Sequence, residues 1–336
     1  MSEVFIHETR GKIVESIHRG DAVVLSPGGS LVAECGDIRK VTYLRSAAKP
    51  IQAMQVVLSG AADHYDLTDP ELAVICSSHY AEDFHLEAVK SILDKIGLDE
   101  SAFLCGPAMS LRPEVAEKHA SMGFHAEKRF SDCTGKHAGM LAVCRHMGYP
   151  IENYIDPTHP VQKDILKLIS DVCEYPAPDI LIGIDGCSVP VFGMPISHMA
   201  IGFVNLANSS YLAEEYRDAA DRIFNAMNAY PEMVSGTGGF CSALIAATKG
   251  RMVGKVGARG VYCIGIREPQ LGIAIKIEDG APGAASMAAM QILVDLHLLQ
   301  SDEYRKLSCF HKQKNLNDDN ITVGVIEPVF HMLSVT

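Results

Sequence analysis

In Arg45-Ser46-Ala47-Ala48-Lys49-Pro50, a hydroxyl and an amine stand three residues apart where a strand pattern gives way to a helix pattern. Positions i and i+3 share a helix face, so the Lys49 amine can reach toward the Ser46 hydroxyl. A serine becomes an effective nucleophile when a base takes its proton, and an amine of lowered pKa is such a base. Backbone N–H groups left free at a helix start can hold the oxyanion of an acyl transfer. Taken alone, the pattern is also that of a helix N-cap serine followed by a surface lysine. The remaining chain must decide between the two.

Other stretches bear on the same chemistry. Gly254-Lys255-Val256-Gly257 carries a lysine on a strand pattern, and the glycine two residues on lets a ligand or another backbone come close. Cys76-Ser77-Ser78-His79 sets hydroxyls at a helix start, where Ser77 or Ser78 also suits a plain N-cap. Cys133 and Lys136 are three apart, and Cys187 is a second isolated thiol, beside Asp185. Two thiolates and a neutral amine suit a borderline cation such as zinc; buried reduced cysteines are the plainer alternative. Two glycine-rich stretches are rejected. Phe130 occupies the position where a phosphate loop ending in Gly135-Lys136 needs glycine, and Gly236-Thr237-Gly238-Gly239 does not complete a dinucleotide fingerprint.

The elements that must position these residues read as follows. Strand patterns cover Val4–Ile6, Ile13–Ser16, Ala22–Leu25 and Leu31–Ala33, with Gly and Pro between them as in hairpins. Val41–Leu44 is a short strand leading into Ser46. Pro50 limits the start of the helix over Ile51–Leu58 and biases Lys49 away from helical angles, so a 3₁₀ or irregular turn is expected around Ser46. Between about 67 and 228, helix patterns cover Glu82–Ile96, Pro113–Met122, His137–Met147, Pro160–Cys173 and Tyr211–Met227. Leu181–Ile184 reads as a short buried strand. Strands return at Gly254–Gly257, Val261–Ile264 and Leu271–Ile277, before a helix over Ala284–Leu299. Lys312–Asn320 reads as a polar loop and Thr322–Ile326 as an edge strand. The expected fold is α/β of the α+β type: one antiparallel sheet from both chain ends, 1–65 and 245–336, with a mainly helical insertion at 66–244.

The 336 residues suffice for a large core. With 41 acidic against 29 basic residues and no basic run, nucleic acid and anionic membranes are not expected partners. No basic, apolar leader opens the chain, and no stretch of about 18 apolar residues is present. Ten scattered cysteines without a C-x-x-C pair read as reduced thiols, so a cytoplasmic location is expected.

Five blocks in order resemble the rhizobial-type, or class 3, L-asparaginases of the asparaginase II family. They are Arg45–Pro50, Cys76–His79, Cys133–Met140, Ile184–Pro190 and Lys255–Tyr262. The likeness spans roughly 4–330, departing at Arg259, where an acidic residue is expected. It implies a fold similar to serine β-lactamases and glutaminases, and hydrolysis of L-asparagine to L-aspartate and ammonia. It implies two Ser–Lys pairs, Ser46 with Lys49 and Ser78 with Lys255, as catalytic residues. Arg45 and Asp185 would hold the substrate's charged α-groups, and His137 would line the pocket. Cys133, Lys136 and Cys187 would hold one zinc ion, with no organic cofactor, and the chain would form a homodimer. The competing readings are a glutaminase, another S-x-x-K hydrolase such as a β-lactamase, and a non-enzymatic binding protein. Tyr80 stands where penicillin-targeting enzymes carry the asparagine of S-x-N, which counts against β-lactam chemistry.

Overall fold

The computed structural model describes residues 1–334. Its strands, in chain order, are β1 (Glu3–Arg10), β2 (Ile13–Ser26), β3 (Ser30–Cys35), β4 (Val41–Tyr43), β5 (Leu181–Ile184), β6 (Pro190–Pro195), β7 (Met252–Gly257), β8 (Val261–Ile266), β9 (Leu271–Ile277), β10 (Gln313–Leu316), β11 (Thr322–Pro328) and β12 (Leu333–Ser334). The larger sheet runs β10-β11-β1-β2-β9-β8-β7, with β3 beside β2 and β12 beside β3, and its pairings are antiparallel. It draws its strands from both ends of the chain, so the fold is an antiparallel sheet with helices, as expected. Long β2 is shared along its length: Ile13–Gly20 pairs with β1, and Gly20–Leu25 with β9.

The helices are α1 (Lys49–Leu58), α2 (Ala61–His64), α3 (Asp69–Ile75), α4 (Asp83–Lys95), α5 (Pro113–Ser121), α6 (Thr134–Met147), α7 (Pro160–Val172), α8 (Ile196–Ala207), α9 (Glu214–Ala229), α10 (Phe240–Thr248), α11 (Ala284–Asp295) and α12 (Ser301–Leu307). Helix α8 lies across β2, β8 and β9. Its close seat requires Gly272, where a Cβ would fall 2.1 Å from the Ala200 carbonyl oxygen. A second helical layer, with α1, α3 and α6 in mutual contact, packs beyond it. No helix among the described residues is long and apolar enough to cross a membrane.

Several sequence expectations need correction. Leu181–Ile184 is a strand but not a buried one: β5 is the edge of a small β4-β6-β5 sheet, and Leu181 and Ile184 are exposed. Thr322–Ile326 is not an edge, because β10 forms from residues read as polar loop and covers it. Lys49 adopts helical angles despite Pro50; its amine is anchored at the far end by two partners described below, which outweighs the local bias. The last apolar helix stops at Asp295, and α12 follows separately.

Candidate active site

Strand β4 delivers the chain to Leu44, and Arg45 then takes a left-handed conformation (φ 52°) before a 3₁₀ turn over Arg45–Ala48. Such a backbone is costly for a residue with a side chain and persists where the surroundings enforce it. Here the turn brings both Arg45 and Ser46 to the wall of one cavity. Helix α1 begins directly after it, with Pro50 in the first turn, where its missing N–H costs nothing.

Lys49 points from α1 into the protein and is almost wholly buried, as is Lys255 from β7. Both amines donate to the Ser78 hydroxyl, Lys255 at 2.8 Å and Lys49 at 3.1 Å. Ser78 sits just past α3, and its backbone N–H donates to the Val234 carbonyl. The four polar residues expected to do chemistry therefore do not sort into two separate pairs. Ser78 bridges both lysines, and Lys49 makes no hydrogen bond to Ser46 among its described contacts, which are Ser78 and Asp132. The Asp132 carboxylate lies 3.3 Å from the Lys49 amine.

The two amines are tuned in opposite senses. Burial lowers the pKa of Lys255, and the nearby Lys49 charge adds to the effect, bringing it to about 8. Burial also works against charge on Lys49, but Cys133 and then Asp132 outweigh it, and its pKa lies above the ordinary lysine value. Asp132 is held below the usual carboxylate range: burial opposes its charge, and Lys49, then His79 and Lys255, favour it. Burial pushes His79 down to about 3, leaving a neutral ring whose Nε2 pairs with Thr134 at 2.7 Å. The arrangement is a hydroxyl between two amines, one of which sheds its proton near neutrality.

On the outer side, Arg45 and Asp185 form an ion pair of 2.7 Å, with Asp185 held at the turn after β5. With Ser46, Leu111, Asp132 and Cys187 they line a cavity of about 330 Å³. A guanidinium and a carboxylate side by side match the two charged α-groups of an amino acid.

Cys133, Lys136 and Cys187 also come together. The Lys136 amine donates to the Cys187 sulfur at 3.0 Å, the Cys133 thiol donates to the Asp132 carboxylate at 3.6 Å, and the two thiols lie near enough to shift each other's titration. That proximity pulls the Cys187 pKa far down and raises that of Cys133. His137 does not line the cavity, contrary to expectation. Its ring is fully buried behind Lys136, with Nδ1 2.7 Å from the Tyr154 hydroxyl.

A family model described as L-asparaginase II matches residues 6–328. The chain belongs to the L-asparaginase II family. It is thus a member of an amidohydrolase family. No curated protein matches this asparaginase II chain in sequence. Among solved structures, it is similar to a β-lactamase of Mycobacterium bovis, at 12% identity and a TM-score of 0.41, covering 87% of this chain and 95% of that one. A mutant simvastatin synthase from Aspergillus terreus gives 13% identity and a TM-score of 0.41, over 79% and 89% of the two chains. A D-alanine carboxypeptidase of Burkholderia cenocepacia gives 10% and 0.36, over 87% and 92%.

In this asparaginase II chain, no sequence spacing marks Asp132 as a partner of Lys49. It stands 83 positions from Lys49 in sequence, so no local pattern connects them. The available signal was an acid immediately before Cys133 at a helix start, in a stretch weighed as a phosphate loop and for its Cys133 and Lys136 as metal ligands. Also unmarked was Thr134, whose hydroxyl fixes the His79 ring beside Ser78.

Proposed function

We propose that this protein hydrolyses L-asparagine to L-aspartate and ammonia through an acyl-enzyme on Ser46. The observation that carries the proposal is the Lys49–Ser78–Lys255 hydrogen-bonded chain beside a cavity bearing Ser46, Arg45 and Asp185. In the reading advanced here, Arg45 takes the substrate's α-carboxylate and Asp185 its α-ammonium, and their mutual ion pair opens to do so. Lys255 supplies the neutral amine. Ser78 passes a proton from Lys49 to Lys255, which leaves Lys49 neutral and able to take the Ser46 proton. The Ser46 oxygen then bonds to the amide carbon. The backbone amides of Ser46 and Ala258, which share the cavity wall, are the donors for the oxyanion. As the C–N bond breaks, the departing nitrogen takes a proton returned through Ser78 and leaves as ammonia. Water repeats the attack on the ester, giving aspartate and restoring the Ser46 hydroxyl. Apo hydrogen bonds of this kind often tighten only with substrate present, which suits the missing Ser46–Lys49 contact.

The same proposal includes one zinc ion held by Cys133, Lys136 and Cys187. Two thiols near each other and an amine 3.0 Å from one of them form a donor set suited to that metal. Among the described residues, no group of three or more His, Cys, Asp and Glu side chains could hold a metal ion; in this reading Lys136 is the third ligand beside the two thiols. It must lose its proton to bind. A bound zinc would add positive charge beside the cavity and help polarise the substrate there.

Ammonia release from asparagine and from glutamine, with nitrocefin turnover measured alongside for β-lactam chemistry, tests the substrate. Glutamine is longer by one methylene, a difference worth about 1–3 kcal/mol in a fitted pocket. Preferred turnover of asparagine is expected. No ammonia from asparagine, or an unchanged rate in Ser46→Ala, would overturn the proposal.

A further inference from the structure

Ser78 faces more than the front cavity's relay. It also opens on a second chamber of about 240 Å³, whose wall includes Leu111, Phe240, Cys241, Tyr262 and Ser286. Leu111 lines both chambers, so they adjoin along that side chain, and Ser78 lines the rear one. Tyr262 is fully buried, and its hydroxyl has no hydrogen-bond partner among the described residues. Such an orphan is rare in a folded protein. Asparagine leaves this chamber without a use. Its α-groups belong at Arg45 and Asp185, and its leaving nitrogen is an NH₂ group that ends at Ser78.

The geometry points to a further activity: hydrolysis of secondary β-amides, asparagine bearing an alkyl substituent on its side-chain nitrogen, with that substituent housed in the rear chamber. The inference rests on the asparagine hydrolysis proposed above. A leaving nitrogen must lie within hydrogen-bond reach of the group that protonates it, which is Ser78. A substituent on that nitrogen then extends past Ser78, away from the α-group anchors. Rings of Phe240 and Tyr262 offer it apolar contact. The bonds balance as for asparagine. The acyl–nitrogen bond breaks, the Ser46 ester forms, the nitrogen takes the proton and leaves as an alkylamine, and water releases aspartate.

The test compares L-asparagine with N4-methyl- and N4-ethyl-L-asparagine, following aspartate and amine release by the full-length protein. Secondary amides turned over with kcat/KM within about tenfold of asparagine are expected. Ser286→Phe, on α11, narrows the rear chamber only; it is expected to lower turnover of N4-ethylasparagine about tenfold or more while asparagine changes less than about twofold. Ser286→Val, a smaller change, repeats the comparison if the phenylalanine variant does not fold. Asparagine hydrolysed with both secondary amides more than about a thousandfold slower would overturn the inference. So would equal losses on both substrates in the Ser286 variants. Secondary amides cleaved without asparagine turnover would support the chamber and overturn the proposed substrate, and turnover of neither would overturn both.

Discussion

Ser78 accepts from two buried amines, while Ser46 stands on a strained turn at the cavity wall with no amine bonded to it. These are different jobs. A hydroxyl fixed between two amines is suited to moving protons, and a less encumbered hydroxyl at the cavity is suited to attack. Ser46→Ala should therefore lower kcat for asparagine by about a thousandfold or more, the loss of a nucleophile. Ser78→Ala should cost less, about a hundredfold, because a water in the vacated space can pass the proton. Mass spectrometry of protein quenched during turnover should find the added acyl mass on the peptide carrying Ser46. The acyl mass on the Ser78 peptide, or a larger loss in Ser78→Ala, would reverse the two roles.

At the scale of elements, the site depends on how closely α6 approaches α3. A Cβ on Gly135 would fall 2.0 Å from the Val74 carbonyl oxygen, a backbone atom that cannot swing aside. Glycine to alanine in a helix ordinarily gains about 0.5–1 kcal/mol. Here the clash should win, with Gly135→Ala costing about 2–3 kcal/mol net and lowering Tm by about 5 °C. Because Ser78 follows α3 and Asp132 precedes α6, the variant should also lower activity more than its stability loss explains. An unchanged Tm and rate, by calorimetry and ammonia assay, would show that this approach is not needed. The elements were unevenly legible in the sequence. Residues 254–257 and 271–277 announced their strands through β-branched runs and glycines, and both belong to the sheet. Helix α8 was missed because Ile196–Ala207 is apolar nearly all round, being covered by the sheet on one side and helices on the other, so no amphipathic period marks it. The exposed edge at Leu181–Ile184 misled for the converse reason, an apolar strand that nothing among the described residues covers on its outer side. Short-range spacing pointed to Lys49, Lys255 and Ser78, but their junction at one hydroxyl, 177 positions apart for Lys255 and Ser78, is a property of the fold.

Across the whole molecule, a chain of net charge −12 gathers Lys49, Lys136 and Lys255 in its interior, near Asp132 and two thiols. The charges are held apart from solvent by parts of the chain contributed from both ends and the middle. Cys133 and Lys136 lie at the start of α6 and Cys187 on the turn between β5 and β6, so a zinc ion would tie these two regions together. Protein purified without added metal is expected to carry about one zinc per chain by elemental analysis, and Cys187→Ala about a tenth of that. Chelation should lower Tm, since a ligand bound only to the folded state stabilises it; unchanged zinc content in the variant would remove Cys187 from the ligand set. The central claim is that Lys255 supplies an uncharged amine through Ser78, and the dependence of kcat/KM on pH for ammonia release from asparagine tests it most directly. With the Lys255 pKa drawn down to about 8 by burial, kcat/KM should rise about tenfold per pH unit below that value and level off above it. The rise should be absent from the residual activity of Lys255→Met. A profile flat from about pH 6 to 9, or the same rise persisting in Lys255→Met, would contradict the account.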